Sequence, residues 1–206
     1  FAGRYLLQGS LRADAADLSL LPSTNRWGYF PAVSAGWTLS EEEFFAPLKH
    51  QVSSLKLRAS WGQNGSLAAL SNYPYSTDMA LKGLYPFGTG NYYINAVAPS
   101  SMGNDKLKWE TSEQINIGLD ARFLKDRLTV GMDYFNKKTK DLLVNGTTPS
   151  LIVGGTTSPM NAGNVSNKGW EFELGWRDHI GDFHYSLRAN LATLTNEVTY
   201  VDPSIT

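Results

Sequence analysis

Two pairs of carboxylates stand close enough in this chain to suggest acid–base chemistry: Glu110 with Glu113, and Glu171 with Glu173. Residues two apart share one face of a strand. Glu171 and Glu173 could therefore flank a glycosidic bond as a hydrolase pair. The plainer reading makes them polar side chains facing Arg58, Arg122, Arg177 or Arg188 across neighbouring strands. The histidines are His50, His179 and His184. His179 and His184 sit across a tight turn, and no third ligand follows at a spacing typical of zinc. Asn-x-Ser/Thr occurs at Asn64, Asn145 and Asn164. These would be glycan acceptors in a secreted eukaryotic protein and are otherwise turn-forming loops. Gly154-Gly155 lacks the strand-to-helix setting of a phosphate loop. The chain has no cysteine, hence no disulfide framework and no thiolate metal site. No catalytic residue, metal or cofactor is expected, and the protein does not read as an enzyme.

The strongest binding candidate is the stretch from Gln63 to Lys106. It carries Tyr73, Tyr75, Tyr85, Phe87, Tyr92 and Tyr93. A tyrosine offers an apolar ring with a hydroxyl at its tip, suited to stacking on a sugar or gripping a peptide. Loops beyond about 15 residues are often functional. Tyr73, Tyr75, Tyr85, Tyr92 and Tyr93 are therefore candidate ligand contacts. The competing reading packs them against the loop itself or against a lid partner.

The elements that must position these groups are strands. Alternation with period 2 dominates the chain. From Ile115 to Phe123, one face reads Ile115, Ile117, Leu119, Ala121 and Phe123; the other reads Asn116, Gly118, Asp120 and Arg122. The pattern repeats at 128–135, 170–177, 183–192 and 54–61, and more weakly at 4–12 and 29–39. This gives about seven strands, several near or above the roughly 10 residues that a tilted strand needs to cross a bilayer. Short turns fall at Lys125-Asp126 and around 178–182; long loops fall at about 13–25, 63–106 and 144–164. Ser40 with Glu43 has the form of a capping box, predicting a short helix over 41–48.

Composition agrees with an all-β chain. Charged residues make up 18% of the 206 residues, below the roughly 25% of ordinary soluble domains. There are 6 Trp and 10 Tyr. A formal charge of −1 gives nucleic-acid binding no electrostatic support. No run approaches about 18 apolar residues, so no transmembrane helix is expected. The start, Phe1-Ala2-Gly3-Arg4, has neither the charged region nor the apolar core of a signal peptide. The chain reads as an internal segment or a mature product of something longer.

Two architectures alternate in this way. A soluble sandwich turns its apolar faces toward each other; a transmembrane barrel turns them to lipid and its polar face to a wet or plugged lumen. Strand length favours the barrel. So does the gathering of aromatics near strand ends, at Trp27, Tyr29, Trp37, Trp61, Trp109, Tyr134, Trp170 and Trp176, the pattern of interfacial girdles. The lumen-facing polar residues would be Arg58, Asn116, Asp120, Arg122, Glu171, Glu173 and Arg188. The alternative remains a secreted sandwich that binds or hydrolyses carbohydrate.

Several segments carry a resemblance. Asn25-Arg26-Trp27-Gly28-Tyr29-Phe30-Pro31 through Gly36-Trp37, followed by Ser40-Glu41-Glu42, resembles a segment of the SusC/RagA-type TonB-dependent outer-membrane transporters of Bacteroidota. Leu55 through Gly65, Leu107-Lys108-Trp109-Glu110-Thr111 through Asp120, and Asp126-Arg127-Leu128 with Asp133-Tyr134-Phe135 are similar to the strands that follow it. Thr139 and Asp141-Leu142-Leu143 match that last strand's outer end. Asn164-Val165-Ser166-Asn167-Lys168-Gly169-Trp170-Glu171, with Asn161 and Gly163 just before it, is similar to the family's N-x-G-x-x-N-K-G-x-E region. The matches are collinear and cover nearly the whole chain. The resemblance implies an antiparallel open arc, about seven strands of a barrel of about 22, with residues 1–206 a partial barrel domain and the plug domain absent. It implies a Gram-negative outer membrane, import of a glycan or oligopeptide, and partners in outer-membrane lipid, a SusD-like lipoprotein and the TonB complex. About seven strands cannot close a barrel, so the chain alone is not expected to fold as a soluble monomer.

Overall fold

The computed structural model describes residues 3–89, 92–145, 155–203 and 205, and leaves aside the side chains of Lys82, Phe87 and Tyr92. Strands account for 69% of the chain. Seven of them form one antiparallel sheet in the order β1 (Tyr5–Ala15), β2 (Trp27–Thr38), β3 (Val52–Ser66), β6 (Glu110–Phe123), β7 (Leu128–Val144), β9 (Met160–Ile180) and β10 (Phe183–Val201). A second, small sheet joins β4 (Asp78–Phe87), β5 (Tyr92–Met102) and β8 (Thr156–Thr157). The large sheet is open, with β1 and β10 at its edges. Among the described residues every substantial strand–strand contact joins hydrogen-bonded neighbours, so no second sheet lies on either face. A sandwich is thereby excluded, because its apolar faces must cover each other.

Register carries the alternation from strand to strand. Tyr5, Trp37, Leu57, Leu119, Met132, Phe172 and Leu191 stand side by side in one row. Leu55, Ala121, Val130, Leu174 and Ala189 form the next, on the short-turn side. Ala59, Ile117, Tyr134 and Trp170 form another, toward the long loops. No charged residue interrupts these rows. A slip of one residue would turn each strand's apolar set to the polar face, so this register is strongly specified. The apolar face is uncovered: Leu187 is 68% exposed and Leu191 64%. On β6 it runs from Ile115 to Phe123, nine residues, which fits the roughly 9–11 needed to cross a bilayer.

The buried core lies elsewhere, at the long-loop end. Ala16, Leu21, Leu107 and Leu143 form it, with Leu67, Leu70 and Trp109 against it. Trp109 is thus no girdle residue. It precedes β6, its ring meets Phe30 edge-on at 5.6 Å, and its Nε1 donates to the Arg26 carbonyl at 3.2 Å. Tyr134 and Trp170 do meet on the apolar face, with centroids 5.0 Å apart.

Three expectations need correction. The predicted helix is a 3₁₀ turn over Glu43–Leu48, preceded by another at Leu39–Glu41. The capping box is not made: neither turn has a side-chain cap, and Ser40 is buried instead. Pro47 inside the second turn lacks the N–H that a continuing α-helix would use. The stretch 63–106 is no plain loop, since β3 runs on to Ser66 and β4 pairs with β5. The stretch 144–164 is shorter than expected, because β9 begins at Met160.

Candidate functional site

The polar face holds every residue assigned to a lumen by alternation. Arg58, Asn116, Asp120, Arg122, Glu171, Glu173 and Arg188 all fall on it by register. Its upper part is a hollow of about 610 Å³ lined mainly by amides and hydroxyls, among them Gln8, Ser34, Ser60, Asn64, Gln114 and Asn116, with Glu110 and Lys137 also on its wall. Gln114 Nε2 donates to Asn116 Oδ1 at 3.0 Å, and Arg12 Nη2 donates to Asn64 Oδ1 at 2.8 Å. A lower hollow of about 760 Å³ is richer in charge: Lys56, Asp120, Arg122, Glu173 and Arg188 line it. The hollow on the apolar side is smaller, about 270 Å³, and lined by Leu57, Ile117, Leu119, Met132, Tyr134 and Trp170.

Between the two polar hollows stands an ion-pair cluster. Arg58 Nε and Nη2 donate to both oxygens of Asp120, at 2.7 and 3.0 Å, and Nη2 also donates to Asp133 at 3.0 Å. Arg58 is on β3 and Asp133 on β7, with β6 between them. Gly118 is the β6 residue in that row and presents no side chain, so the guanidinium crosses over its backbone.

The carboxylate pairs do not assemble acid–base machinery. Glu110 and Glu113 point to opposite faces. Glu110 accepts the Leu143 backbone N–H at 3.2 Å. Glu113 accepts from Trp61 Nε1 at 2.9 Å and from Lys140 Nζ at 3.0 Å. Glu171 and Glu173 share a face, yet among the described residues neither makes an ion pair with an arginine: Arg58 is taken by the aspartates, and Arg177 Nε donates to the Asp126 carbonyl at 2.9 Å. His179 and His184 are cross-strand neighbours with rings 5.4 Å apart. Among the described residues no three His, Cys, Asp or Glu are gathered to hold a metal. Among them, too, no helix is long and apolar enough to cross a membrane, which says nothing of crossing by strands.

The tyrosines divide into two groups. Tyr73 and Tyr75 fasten the loop: the Tyr73 N–H donates to the Ser19 carbonyl at 2.5 Å, and the Tyr75 hydroxyl donates to the Leu18 carbonyl at 2.6 Å. Their rings meet edge-on at 6.3 Å. Tyr85 and Tyr93 stand out on the β4–β5 hairpin, 60% and 61% exposed. Tyr85 pairs with Ile94 and Tyr93 with Pro86, which puts the two tyrosines on opposite faces of the hairpin. The side chain of Tyr92 lies outside the described residues.

Alternation does not reveal the clasp that holds the loops. Asn161 Nδ2 donates to the carbonyls of Lys108 at 2.9 Å and Asp141 at 2.8 Å, while its Oδ1 accepts the Lys108 N–H at 2.9 Å. Asn164 Oδ1 accepts the Asp141 N–H at 3.1 Å. Asp141 has φ +57° and sits in a break of the β7–β9 ladder, so its backbone groups need side-chain partners. Lys108 Nζ closes on Asp141 at 2.9 Å. The signal available in sequence was the Asn161-Ala162-Gly163-Asn164 run itself.

Comparison with known proteins agrees with this geometry. The family model described as TonB dependent receptor-like, beta-barrel matches residues 1–206. The chain belongs to the TonB-dependent receptor β-barrel family. Within it, the chain is 34% identical over 203 residues to the TonB-dependent receptor SusC of Bacteroides thetaiotaomicron, which covers 95% of this chain and 19% of that protein. It is 31% identical over 199 residues to the TonB-dependent receptor P3 of Formosa agariphila, covering 96% of this chain and 19% of that one. Among solved structures it superposes on the RagAB peptide importer in its closed-closed state with a TM-score of 0.81 and 24% identity, over 97% of this chain and 21% of that one. The siderophore receptor PirA of Pseudomonas aeruginosa aligns with a TM-score of 0.53 and 19% identity, over 96% of this chain and 34% of that one. The chain is thus similar to a segment of the SusC/RagA-type receptors. The chain spans about a fifth of the length of the curated relatives it matches.

Proposed function

We propose that this chain is an arc of the barrel wall of an outer-membrane importer that takes up a glycan or an oligopeptide. The segregation of the two faces carries the reading. Three uncharged rows span the sheet on one side, and amides, hydroxyls and ion pairs fill the other. Only a closed sheet satisfies its backbone polar groups in lipid, and only an apolar exterior suits its solvent there. The apolar rows face lipid, and Arg58, Asn116, Asp120, Arg122, Glu171, Glu173 and Arg188 face the lumen. Amides and hydroxyls both donate and accept, which suits a ligand rich in hydroxyl or peptide groups. Tyr85 and Tyr93 extend the contact surface outward. No bond is broken; the work is capture and passage. The residues form a partial barrel domain of a longer receptor whose plug engages TonB and whose outer mouth is covered by a SusD-like lipoprotein.

The test uses the full-length receptor. It should stay with membranes through carbonate washing and come off only in detergent; release by carbonate alone would overturn the membrane reading. Binding should then be measured by calorimetry against a panel of glycans and oligopeptides. One class should bind, and Tyr85→Ala with Tyr93→Ala should weaken it about tenfold. No binding of either class would overturn the ligand reading.

A further inference from the structure

The apolar face changes character within two rows of the long-loop rim. Above Tyr134 and Trp170 comes the row Trp61, Ile115, Asn136 and Lys168; above that comes Gln63, Glu113, Lys138 and Ser166. Lys140 lies one step further on β7. Lys138, Lys140 and Lys168 therefore stand on the same side of the sheet as the apolar rows, and all three are exposed. Two acids accompany them. Glu113 is already engaged by Lys140 at 3.0 Å and by Trp61. Glu197 lies beside Ser166 on β10. Among the described residues Lys168 makes no ion pair or side-chain hydrogen bond, and Lys138 makes none either, although it stands directly across from Glu113 and feels its charge. The two lysines are diagonal neighbours on β7 and β9, a separation of about 7 Å, and both lie within about 14 Å along the strand of Trp170.

We propose that Lys138 and Lys168, flanked by Lys140, bind the phosphate of a phosphorylated glycolipid in the outer leaflet. The inference rests on the membrane reading above. The aromatic row sets the edge of the hydrocarbon. Charged side chains just beyond that edge sit at the depth of head groups, where lysines attract anionic lipid. Two exposed ammonium groups from adjacent strands can grip one phosphate from two sides, with Lys140 engaging the Glu113 carboxylate beside them. Their extended stems lie along the apolar surface beneath them.

The experiment is native mass spectrometry of the detergent-extracted full-length receptor, titrated with bisphosphorylated lipid A. The wild type should retain the lipid, and Lys138→Gln with Lys168→Gln should bind about 30-fold more weakly. Lys137→Gln removes the same charge from the polar face and should leave retention unchanged. Dephosphorylated lipid A should bind the wild type as weakly as phosphorylated lipid A binds the double variant, a comparison that stands even if that variant folds poorly. Equal binding of both lipids, or equal loss with Lys137→Gln, overturns the site. Displacement by millimolar inorganic phosphate would make it a free-anion site and overturn the lipid assignment. A receptor that needs no detergent at all fails the membrane reading instead.

Discussion

Arg58 Nη2 reaches Asp133 at 3.0 Å by passing over Gly118, spanning a whole strand of the sheet. A Cβ at Gly118 would overlap the Asp133 carboxylate and come within 2.8 Å of the guanidinium carbon. Gly118→Ala should therefore destabilise the full-length receptor by about 1–3 kcal/mol, the usual cost of overpacking. Asp133→Asn should cost less than about 1 kcal/mol, because the pair is partly solvated, with Arg58 40% and Asp133 29% exposed. Thermal unfolding in detergent measures both. An equal loss from the two variants would mean the bridge matters more than the gap it crosses.

The two faces should respond oppositely to the same new charge. Leu119→Lys places an ammonium in the middle row of the apolar face and should cost about 2–4 kcal/mol in lipid. Asn116→Lys, on the polar face of the same strand, should cost under about 1 kcal/mol. Folding of the full-length receptor into bilayers, followed by denaturant titration, gives both values.

Asn161→Ala removes three hydrogen bonds from the loop clasp and leaves the Asp141 carbonyl and both Lys108 backbone groups to find water. Losing such bonds from exposed and half-buried backbone should cost about 0.5–1.5 kcal/mol. The loss should appear locally. Amide exchange should quicken at Lys108–Glu110 and Asp141–Leu143, while β6 residues 115–123 keep their protection. Uniform loss across the sheet would show that the clasp stabilises the barrel and not only its rim.

Glu42 supplies a pH dependence on the short-turn side. It accepts hydrogen bonds from the Tyr5 hydroxyl at 2.6 Å and the Trp37 indole at 3.0 Å, and pairs with Arg4 at 3.3 Å. These partners, the Tyr5 hydroxyl foremost, hold its carboxyl below the ordinary glutamate value of 4.5. A depressed folded-state value means the contribution is complete above 4.5 and disappears as pH falls through the lowered value. Protection of the amides at 39–51, taken relative to the intrinsic exchange rate at each pH, should therefore fall below pH 4.5, and Glu42→Gln should flatten that dependence. A profile identical in the variant would assign the effect to another group.

Period-2 alternation determined about seven strands and their two faces; the change from the apolar row at Ile117 to the lysines at 138 and 168 needed the cross-strand register. The strands and faces follow from residue type and the geometry of a pleated chain, which puts i and i+2 on one side whatever surrounds them. The motifs around Trp27–Trp37 and Asn161–Glu171 determined the family. Tertiary structure alone decided what long-range partners impose. Trp109 had the composition of a girdle residue and became core, because its ring meets Phe30 and its indole N–H reaches the Arg26 carbonyl. Ser40 had the form of a cap and caps nothing, because the chain turns as 3₁₀ around Pro47. The reach of Arg58 over Gly118 depends on three strands standing in one register, and the Asn161 clasp on a ladder break at Asp141. Neither is visible to a reading along the chain, because each joins residues that only the folded sheet makes neighbours.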